Sequence, residues 1–500
     1  MFLGSLLYDK NYIALEPYLW SFIMSKKYIL GIDGGSQSTK IVIFDTDGNI
    51  ICEGKESLKP MIYRKPGYVE HPDDDLYDSL KIASKKALSN FKGDLKDIIG
   101  VGPCTIRCCK AFLKADGSLA EPVMSWMDVR AYTPYVHENK EVKYITASTG
   151  YMTHRLTGEF KDTISNSIPF QFPTDIKTWN WDSNDEAFKK FNAPRDMFFE
   201  LQMPGTILGY ITKKASEETG IPEGIPVIAT ANDKAVEALG AGLIDHDTCL
   251  ISLGTYIASM VLGSENTDDG KSYFTNFADI PNEYLYESSG IRRGMWTISW
   301  FRDLLGEEVI NRAKENNMHP DQYLDNLAKD IPAGTYGLMV ILDWLALTSE
   351  PYKRGVMIGF NEKHHAEHIF RAIIEGITLT MKNHASNMFN ELGINPKRLI
   401  ISGGGSNSPV FMKCMADAFG LPTYKNVVNG AASLGTAINV AVGLGVYSDY
   451  KEAVEKMVKI KEVIEPDMKN NDIYNRMNEV YKSIPSSIEN VLKRSHEIFK

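Results

Sequence analysis

Residues 28–45 read YILGIDGGSQSTKIVIFD, and the rest of the chain is organised around this stretch. Two apolar runs rich in β-forming residues flank a short polar turn, Gly34 to Thr39, so the pattern predicts a β-hairpin. Asp33 precedes the turn and Lys40 follows it. Because glycine permits close backbone approach, such a turn can direct several N–H groups at one anion, and the adjacent carboxylate can hold a hydrated Mg²⁺. The stretch is therefore either a nucleotide-phosphate loop or an ordinary hairpin turn.

A similar arrangement occurs twice more in the chain. Residues 250–261, LISLGTYIASMV, again read as strand, Gly-Thr turn and strand. Residues 399–411, LIISGGGSNSPVF, read as strand, glycine-rich turn and helix. Internal similarity indicates a repeated architecture. Three phosphate-sized turns at the ends of apolar strands predict two related halves that face one ligand.

The chain of 500 residues exceeds what one hydrophobic core usually supports, so two or more domains are expected. Strands alternate with helical patterns, which indicates α/β layers, and a hairpin at the front of each half indicates mixed sheets. We expect domains over 25–244 and 245–500, preceded by an extension over 1–24. The dinucleotide fingerprint G-x-G-x-x-G is absent from the 31–36 turn, which argues against an oxidoreductase. The Walker pattern is absent too.

Composition limits the classes of partner. The formal net charge of −10 argues against nucleic acid or an anionic membrane as a partner. Six scattered cysteines indicate reduced thiols in a cytoplasmic protein, not a disulfide framework. Residues 1–23 lack the basic region of a signal peptide, and no apolar run approaches the roughly 20 residues of a membrane helix. This segment is expected to be a non-catalytic extension or a short amphipathic helix that binds a partner.

Hydrophobic spacing places the main secondary structure. Helices are predicted at 73–91, 213–219, about 295–328, 362–391, 408–419 and 430–443, with a largely helical region from 130 to 156 and a charged helical tail over 450–500. Strands are predicted, among others, at 50–57, 98–102, 226–230 and 398–402.

Several motifs now stand together in order. They are GIDGGSQSTK at 31–40, WMDVR at 126–130, ATANDKAVEALGAG at 229–242, SLGT at 252–255 and SGGGSNSP at 402–409. In this order and spacing they resemble the FGGY carbohydrate kinases, the family of xylulokinase and glycerol kinase within the actin-like ATPase superfamily. The resemblance implies two actin-like (ribonuclease H-like) α/β domains with mixed sheets flanked by helices and an ATP cleft between them. It also implies Mg-ATP-dependent phosphorylation of a sugar or polyol hydroxyl.

Asp233 is the candidate general base. Phosphoryl transfer requires positioning and charge stabilisation, and a sugar hydroxyl needs a carboxylate to accept its proton. Asp233 follows an apolar strand and begins a helix, where small neighbours leave room for a substrate. By resemblance it matches the catalytic Asp of the family. The alternative is an N-cap residue on the helix over 234–240, and the two roles are partly compatible.

The resemblance also assigns the nucleotide contacts. Asp33 would bind Mg²⁺ through water, and the glycine-rich third turn would approach the α-phosphate and ribose at a helix N-terminus. The predicted nucleotide-binding residues are Gly34, Gly35, Ser36, Gln37, Lys40, Gly254, Thr255, Gly403, Gly404, Gly405 and Asn407. The family usually has Thr-Ser where this chain has Ser36 and Gln37. Backbone donors matter more than side chains here, so we expect the loop to function.

Trp126, Asp128 and Arg130 are the sugar-site candidates, because an aromatic face beside a carboxylate and a guanidinium suits a sugar. The alternative is a surface loop with an internal Asp–Arg pair. Asp162 is a further candidate. The segments GPCTIRCCK at 102–110 and ALTSEPYK at 346–353 depart from the pocket-shaping sequences of xylulokinase-like members. These departures leave the identity of the sugar open.

The segment around 102–110 carries two further hypotheses. Arg107 could contact an anionic group of the substrate. Cys104, Cys108 and Cys109 could form a metal cluster, but no matching His or second Cys pair accompanies them.

The sequence therefore predicts an ATP-dependent kinase with Mg²⁺ and a small sugar or polyol substrate, such as a pentulose. The alternative is a non-catalytic sugar- or nucleotide-binding member of the actin-like class, or a chaperone-like one. Intact Asp233 and intact phosphate turns favour the kinase, and a chaperone would need a separate peptide-binding domain. A homodimer is left open.

Overall fold

The computed structural model describes residues 26–267, 270–347, 349–428 and 430–499. The predicted amino-terminal extension, 1–24, lies outside the described residues. Two large mixed sheets, one in each half of the chain, carry the three glycine-containing turns.

The first sheet is built around the opening hairpin. Its strands are β1 (Tyr28–Gly34), β2 (Ser38–Asp45), β3 (Ile50–Ser57), β4 (Ile98–Thr105), β11 (Ile207–Tyr210) and β12 (Pro226–Ile228). They lie in the order β11-β12-β4-β1-β2-β3. Strand β1 pairs antiparallel with β2 and parallel with β4.

The second sheet repeats this arrangement. Its strands are β13 (Thr248–Leu253), β14 (Ile257–Gly263), β15 (Tyr273–Phe277), β16 (Tyr284–Ser288), β19 (Arg398–Ser402), β20 (Thr423–Asn426) and β21 (Ile460–Ile464). They lie in the order β15-β16-β14-β13-β19-β20-β21. Strand β13 pairs antiparallel with β14 and parallel with β19, just as β1 does with β2 and β4. The prediction of two related halves is confirmed.

Short strands and helices complete the architecture. The short strands are β5 (Lys110–Leu113), β6 (Tyr144–Ala147), β7 (Lys161–Thr163), β8 (Thr174–Asp175), β9 (Asn180–Trp181), β10 (Glu200–Gln202), β17 (Met339–Ile341) and β18 (Val356–Ile358). The α-helices are α1 (Asp75–Asn90), α2 (Ser148–Thr157), α3 (Asp185–Phe191), α4 (Lys213–Thr219), α5 (Asp233–Gly240), α6 (Gly294–Leu304), α7 (Glu307–Glu315), α8 (Pro320–Ala328), α9 (Ala366–Leu392), α10 (Pro409–Phe419), α11 (Ala431–Gly443), α12 (Tyr450–Met457) and α13 (Met468–Ile498). Short 3-10 turns occur at Leu95–Asp97, Val129–Tyr132, Ile164–Asn166, Arg195–Met197, Thr335–Gly337 and Gly404–Asn407.

Helices α5 and α11 cross in the centre of the molecule. A Cβ atom at Gly435 would lie 2.1 Å from the backbone oxygen of Val236, and one at Gly240 would lie 1.9 Å from that of Ala431. Real Cβ contacts are not this short, so the two helices approach closely because both crossing positions are glycine.

The crossing helices join the two halves, because each packs on the sheet of the other half. Ala235 of α5 belongs to the same apolar cluster as Met260 of the second sheet. Ala437 of α11 belongs to the same cluster as Ile29 of the first sheet. The predicted domain boundary between 244 and 245 stays a prediction.

Two secondary-structure predictions are wrong. The region after Arg130 is not largely helical: a 3-10 turn and strand β6 precede α2, and Pro134 interrupts the segment. The tail is not helical throughout, because β21 separates α12 from α13. Strand β21 pairs antiparallel with β20 and closes the edge of the second sheet, a contact that local spacing does not reveal. Within the part of the chain that the structure describes, no helix is long and apolar enough to cross a membrane.

Candidate active site

The first turn joins β1 to β2 at the mouth of the cleft. A hydrogen bond from the Gly35 N–H to the Ser38 oxygen, 3.0 Å long, closes it. Ser36 and Gln37 are exposed at its tip. Asp33 lies opposite Lys40 in the strand register, and the Lys40 ammonium pairs with Glu53 at 2.8 Å. The predicted phosphate-binding residues of this turn thus lie together beside a carboxylate.

The second turn joins β13 to β14 and contacts the start of α6. The N–H of Gly294 donates to the Thr255 oxygen at 2.9 Å, and that of Met295 donates to the Gly254 oxygen at 3.2 Å. These two bonds hold the turn while the Thr255 side chain remains exposed.

The third turn lies against the second. Gly403 has φ of 80°, and a Cβ there would lie 2.5 Å from the Leu253 backbone oxygen. A Cβ at Gly405 would also meet Leu253, at 2.7 Å from its side chain, whereas one at Gly404 would meet nothing within 4 Å. Gly403 and Gly405 are therefore required by packing, and Gly404 faces open space.

A cavity of about 680 Å³ begins at this third turn. Its lining includes Gly404, Gly405, Asn407, Met295 and Phe370. Small-molecule sites commonly have roughly this volume, with mostly apolar walls and a few polar groups. The predicted adenosine residues therefore border a cavity of suitable size.

Asp233 is the first residue of α5, immediately after the end of the first sheet. The N-cap is Asn232, whose Oδ1 accepts from the N–H groups of Lys234 and Ala235, both at 3.1 Å. The alternative assignment of Asp233 as N-cap is wrong, because its neighbour fills that position. The Asp233 carboxylate accepts from the backbone N–H of Lys234 at 3.0 Å and of Arg107 at 3.4 Å.

Asp33 and Asp233 lie close enough to influence each other. Burial, followed by repulsion from Asp233, raises the pKa of Asp33 to about 6, against the opposing charge of Lys40. Burial also raises the pKa of Asp233, although Arg107 and Lys234 oppose the shift. A divalent cation would relieve this excess of negative charge, and Mg²⁺ is commonly held by one or two carboxylates together with substrate phosphates. The donor set fits that ion.

A cation site made of protein ligands alone is not found. Among the described residues, no group of three or more His, Cys, Asp or Glu side chains could hold a metal ion. Cys104, Cys108 and Cys109 are buried free thiols. The metal-cluster hypothesis for these cysteines therefore has no structural support.

A buried network that the sequence analysis missed ties α5 to the second sheet. The Lys234 ammonium donates to Glu237 Oε2 at 2.8 Å and to Ser252 Oγ at 2.9 Å. Both Ser252 Oγ and Ser402 Oγ donate to Glu237 Oε1. Burial lowers the pKa of Lys234, but Glu237 and Asp233 outweigh it, so the pKa is raised. The one local signal was the spacing of Lys234 and Glu237 on one helix face.

A second missed contact joins the two halves beside Asp233. The Arg107 guanidinium donates from Nη1 to Glu287 Oε2 at 2.7 Å and from Nη2 to Glu287 Oε1 at 2.9 Å. Glu287 is fully buried, and the ring of Phe274 lies 5.5 Å from the guanidinium. Nothing local in the sequence pairs residues 180 positions apart.

Asp128 and Arg130 form an internal pair. Arg130 Nε donates to Asp128 Oδ1 at 2.9 Å, and Nη2 donates to Asp128 Oδ2 at 2.7 Å. Asp128 is fully buried and also accepts from the Val69 N–H at 2.7 Å. Burial opposes ionisation, but the Arg130 hydrogen bonds prevail and lower the pKa of Asp128. The pair orders the segment that carries Trp126, which is 44% exposed.

Aromatic residues extend the surface around Trp126. The Tyr132 hydroxyl donates to the Trp126 backbone oxygen at 2.7 Å, and its ring stacks on Phe170 with centroids 6.2 Å apart. Both rings are about half exposed. Tyr132 follows the WMDVR motif by two residues, whereas Phe170 lies 40 residues beyond it and has no comparable local signal.

Asp162 is buried and is held by internal donors. Its carboxylate accepts from the hydroxyls of Thr146 at 2.7 Å and Thr149 at 2.5 Å, and from the N–H of Thr163 at 2.7 Å. Burial raises the pKa of Asp162 to about 6, although these hydrogen bonds oppose the shift. The structure thus brings the first turn and Arg107 close to Asp233, and α5 is bonded to the strands that precede the second and third turns. Asp128 and Asp162 are bonded to neighbouring residues of the first half.

Comparison with known proteins identifies relatives of this chain. The profile described as "FGGY family of carbohydrate kinases, N-terminal domain" matches residues 28–150 and 134–240, and that of the C-terminal domain matches residues 249–444. A protein of Escherichia coli (strain K12) named "Uncharacterized sugar kinase YgcE" is 50% identical over 476 residues, which cover 95% of this chain and 96% of that protein.

Solved structures share the fold. A xylulose kinase from Rhodospirillum rubrum superposes with a TM-score of 0.80 at 19% identity, covering 93% of this chain and 100% of that chain. A gluconate kinase from Lactobacillus acidophilus superposes with a TM-score of 0.79 at 21% identity, covering 93% and 98%. These similarities confirm the predicted two-domain α/β fold with mixed sheets.

Proposed function

Because the chain belongs to the FGGY family of carbohydrate kinases, we propose that it transfers the γ-phosphoryl group of ATP to a hydroxyl of a ketose such as a pentulose, with Asp233 as general base. The observation that carries the proposal is the position of Asp233, a half-buried carboxylate at the start of α5 that lies close to Asp33, beside the first glycine-containing turn. A hydroxyl is a weak nucleophile, and a carboxylate whose pKa is raised accepts its proton more readily.

The turns supply the phosphate contacts in this proposal. Exposed backbone at Ser36 and Gln37, together with Thr255, would hold the β- and γ-phosphates, and Gly404 would approach the ribose. Asp33 would hold Mg²⁺ through water, and the ion when bound supplies charge neutralisation on the phosphates.

Trp126, Tyr132 and Phe170 would form the apolar wall against which the sugar packs. Asp128 and Arg130 would act by ordering this wall, since their charges already satisfy each other. Cytoplasmic location and a homodimer stay predictions.

Catalysis is favoured over a purely binding role. A binding protein has no need of a carboxylate whose negative charge is disfavoured by burial next to a second one, as at Asp33 and Asp233. Two neighbouring carboxylates with raised pKa values lower the stability of the fold. A role in phosphoryl transfer explains why both are present.

The test is ATP turnover with a panel of ketoses, aldoses and polyols. Asp233→Asn is expected to lose roughly 100- to 10,000-fold in kcat while still binding Mg-ATP. Asp417→Asn is the control, because Asp417 is a buried carboxylate that accepts from the Asp467 N–H in the tail and has no contact with Asp233 among its hydrogen bonds. Unchanged turnover in Asp233→Asn would refute the assignment of the base. Absence of turnover with every acceptor would leave the non-catalytic alternative.

A further inference from the structure

Arg107 contacts Asp233, and its guanidinium is largely buried beside that residue. The backbone N–H of Arg107 donates to Asp233 Oδ1 at 3.4 Å. The guanidinium instead makes two parallel hydrogen bonds to Glu287, of 2.7 and 2.9 Å. The side chains of Arg107 and Glu287 are 17% and 0% exposed. The pair is therefore desolvated, and the carboxylate of Glu287 occupies the face of the guanidinium that a substrate anion would use.

Lys234, a second cation close to Asp233, is also paired with a carboxylate. Lys234 pairs with Glu237 at 2.8 Å, deep in the site. Arg292 is an exposed cation on the same side: burial raises the pKa of Tyr256, and Arg292 is near enough to oppose that shift. Arg292 is therefore the side chain whose contribution to anion binding must be tested separately.

We propose that Glu287 selects an uncharged acceptor by masking the positive charge of Arg107. A neutral sugar or polyol can approach Asp233 without meeting a net repulsion. A sugar acid or sugar phosphate would place a negative charge beside Asp233 and Glu287, where the guanidinium is already engaged. This inference rests on the proposed kinase function and deepens it by naming the residue that excludes charged acceptors. It also replaces the hypothesis that Arg107 binds a substrate anion.

Glu287 is a positioning residue, because it acts through Arg107. Glu287→Gln keeps the shape of the side chain and removes its charge. The positive charge of the Arg107 guanidinium is then no longer neutralised and is available to an anion. The ratio of kcat/KM for an aldonate to that for the alditol or ketose of equal length is expected to rise roughly 10- to 100-fold. Glu287→Asp keeps the charge and is expected to retain the wild-type ratio.

Two further variants separate this effect from general damage. The double variant Arg107→Gln with Glu287→Gln removes both charges, so the gain for aldonates is expected to vanish. Asp245→Asn breaks the 2.6 Å pair with Arg398 near the opposite end of β13 and is expected to leave the ratio unchanged. Arg292→Gln is likewise expected to leave it unchanged.

The experiment measures ADP formation and, independently, the rise in Tm on adding each sugar with Mg-ADP. Aldonates are compared with alditols and ketoses of the same length. The wild type is expected to favour the neutral probes by about tenfold or more. The wild-type comparison needs no variant, so equal acceptance of aldonates and neutral sugars would overturn the inference even where Glu287→Gln fails to fold.

The outcomes for the inference and for the kinase proposal differ. Neutral sugars that raise Tm without being phosphorylated support the inference and contradict the kinase proposal. An aldonate that is bound or phosphorylated as well as its neutral counterpart overturns the inference and leaves the kinase intact. The inference is also overturned if Glu287→Gln folds but its kcat/KM ratio for aldonates does not rise. It is overturned as well if only the sugar acids raise Tm.

Discussion

Asp33→Asn is expected to stabilise the ligand-free protein while abolishing its activity. The Asp33 side chain is partly buried, and this burial together with the charge of Asp233 raises its pKa from the ordinary 3.8 to about 6. The difference of about two pKa units corresponds to roughly 3 kcal/mol, at about 1.4 kcal/mol per unit. Above pH 6 the folded protein bears this cost, which a neutral amide removes.

The stability difference between the variant and the wild type is expected to grow as pH rises. Below the ordinary pKa, Asp33 is protonated in both the folded and the unfolded states and contributes nothing. Between about pH 4 and about pH 6 the unfolded state ionises first, so the wild type loses stability relative to the variant as pH rises. Above about pH 6 the difference in free energy of unfolding is constant and largest.

The assay compares urea unfolding of both proteins without Mg²⁺ or nucleotide at about pH 5 and about pH 8. The stability gap is expected to be larger at the higher pH, whereas turnover and Mg-ATP binding are weakened in the variant. Asp47→Asn is the control, because Asp47 is an exposed carboxylate in the turn after β2. A variant no more stable than the wild type at about pH 8, or a gap that does not change with pH, would refute the electrostatic argument.

Two further predictions concern close backbone contacts. Gly403→Ala places a Cβ 2.5 Å from the Leu253 oxygen at φ of 80°, so we expect a loss of about 2 kcal/mol or more in stability and weaker ATP binding. Gly404→Ala meets nothing within 4 Å, so denaturation should show wild-type stability and isothermal titration should show only altered nucleotide affinity. Gly435→Ala gains about 1 kcal/mol of helix propensity but meets the Val236 oxygen at 2.1 Å, and thermal denaturation should therefore show a net loss of about 1–3 kcal/mol. Wild-type Tm for Gly403→Ala or Gly435→Ala would contradict the packing described for that glycine.

Much of the fold and part of the site follow from local sequence signals. The hairpin of β1 and β2, helix α4 and strand β19 depend on hydrophobic period, turn glycines and helix ends, which act over a few residues. The three glycine-containing turns were found in the same way. Asp233 could be located because its strand, its small neighbours and its motif are contiguous in the chain.

The supporting contacts could not be predicted because they join distant residues. The Arg107–Glu287 pair and the bonds of Ser252 and Ser402 to Glu237 form only once β4, β16 and α5 have packed together. The 3-10 turn after Asp128 replaced a predicted helix because its buried hydrogen bonds override weak local propensity.

The sequence by itself determined the glycine-containing turns and a carboxylate at a helix start, because these features impose local backbone geometry, and the class of chemistry followed from the resemblance of its ordered motifs to a known family. Only the tertiary structure decided the electrostatics of the cleft. A carboxylate such as Asp33 has a raised pKa, and Arg107 has its charge masked, because packing removes water and brings particular partners within hydrogen-bond distance. Burial and partner choice are properties of the folded chain, and in our proposal they determine the charge of the acceptor that the site receives.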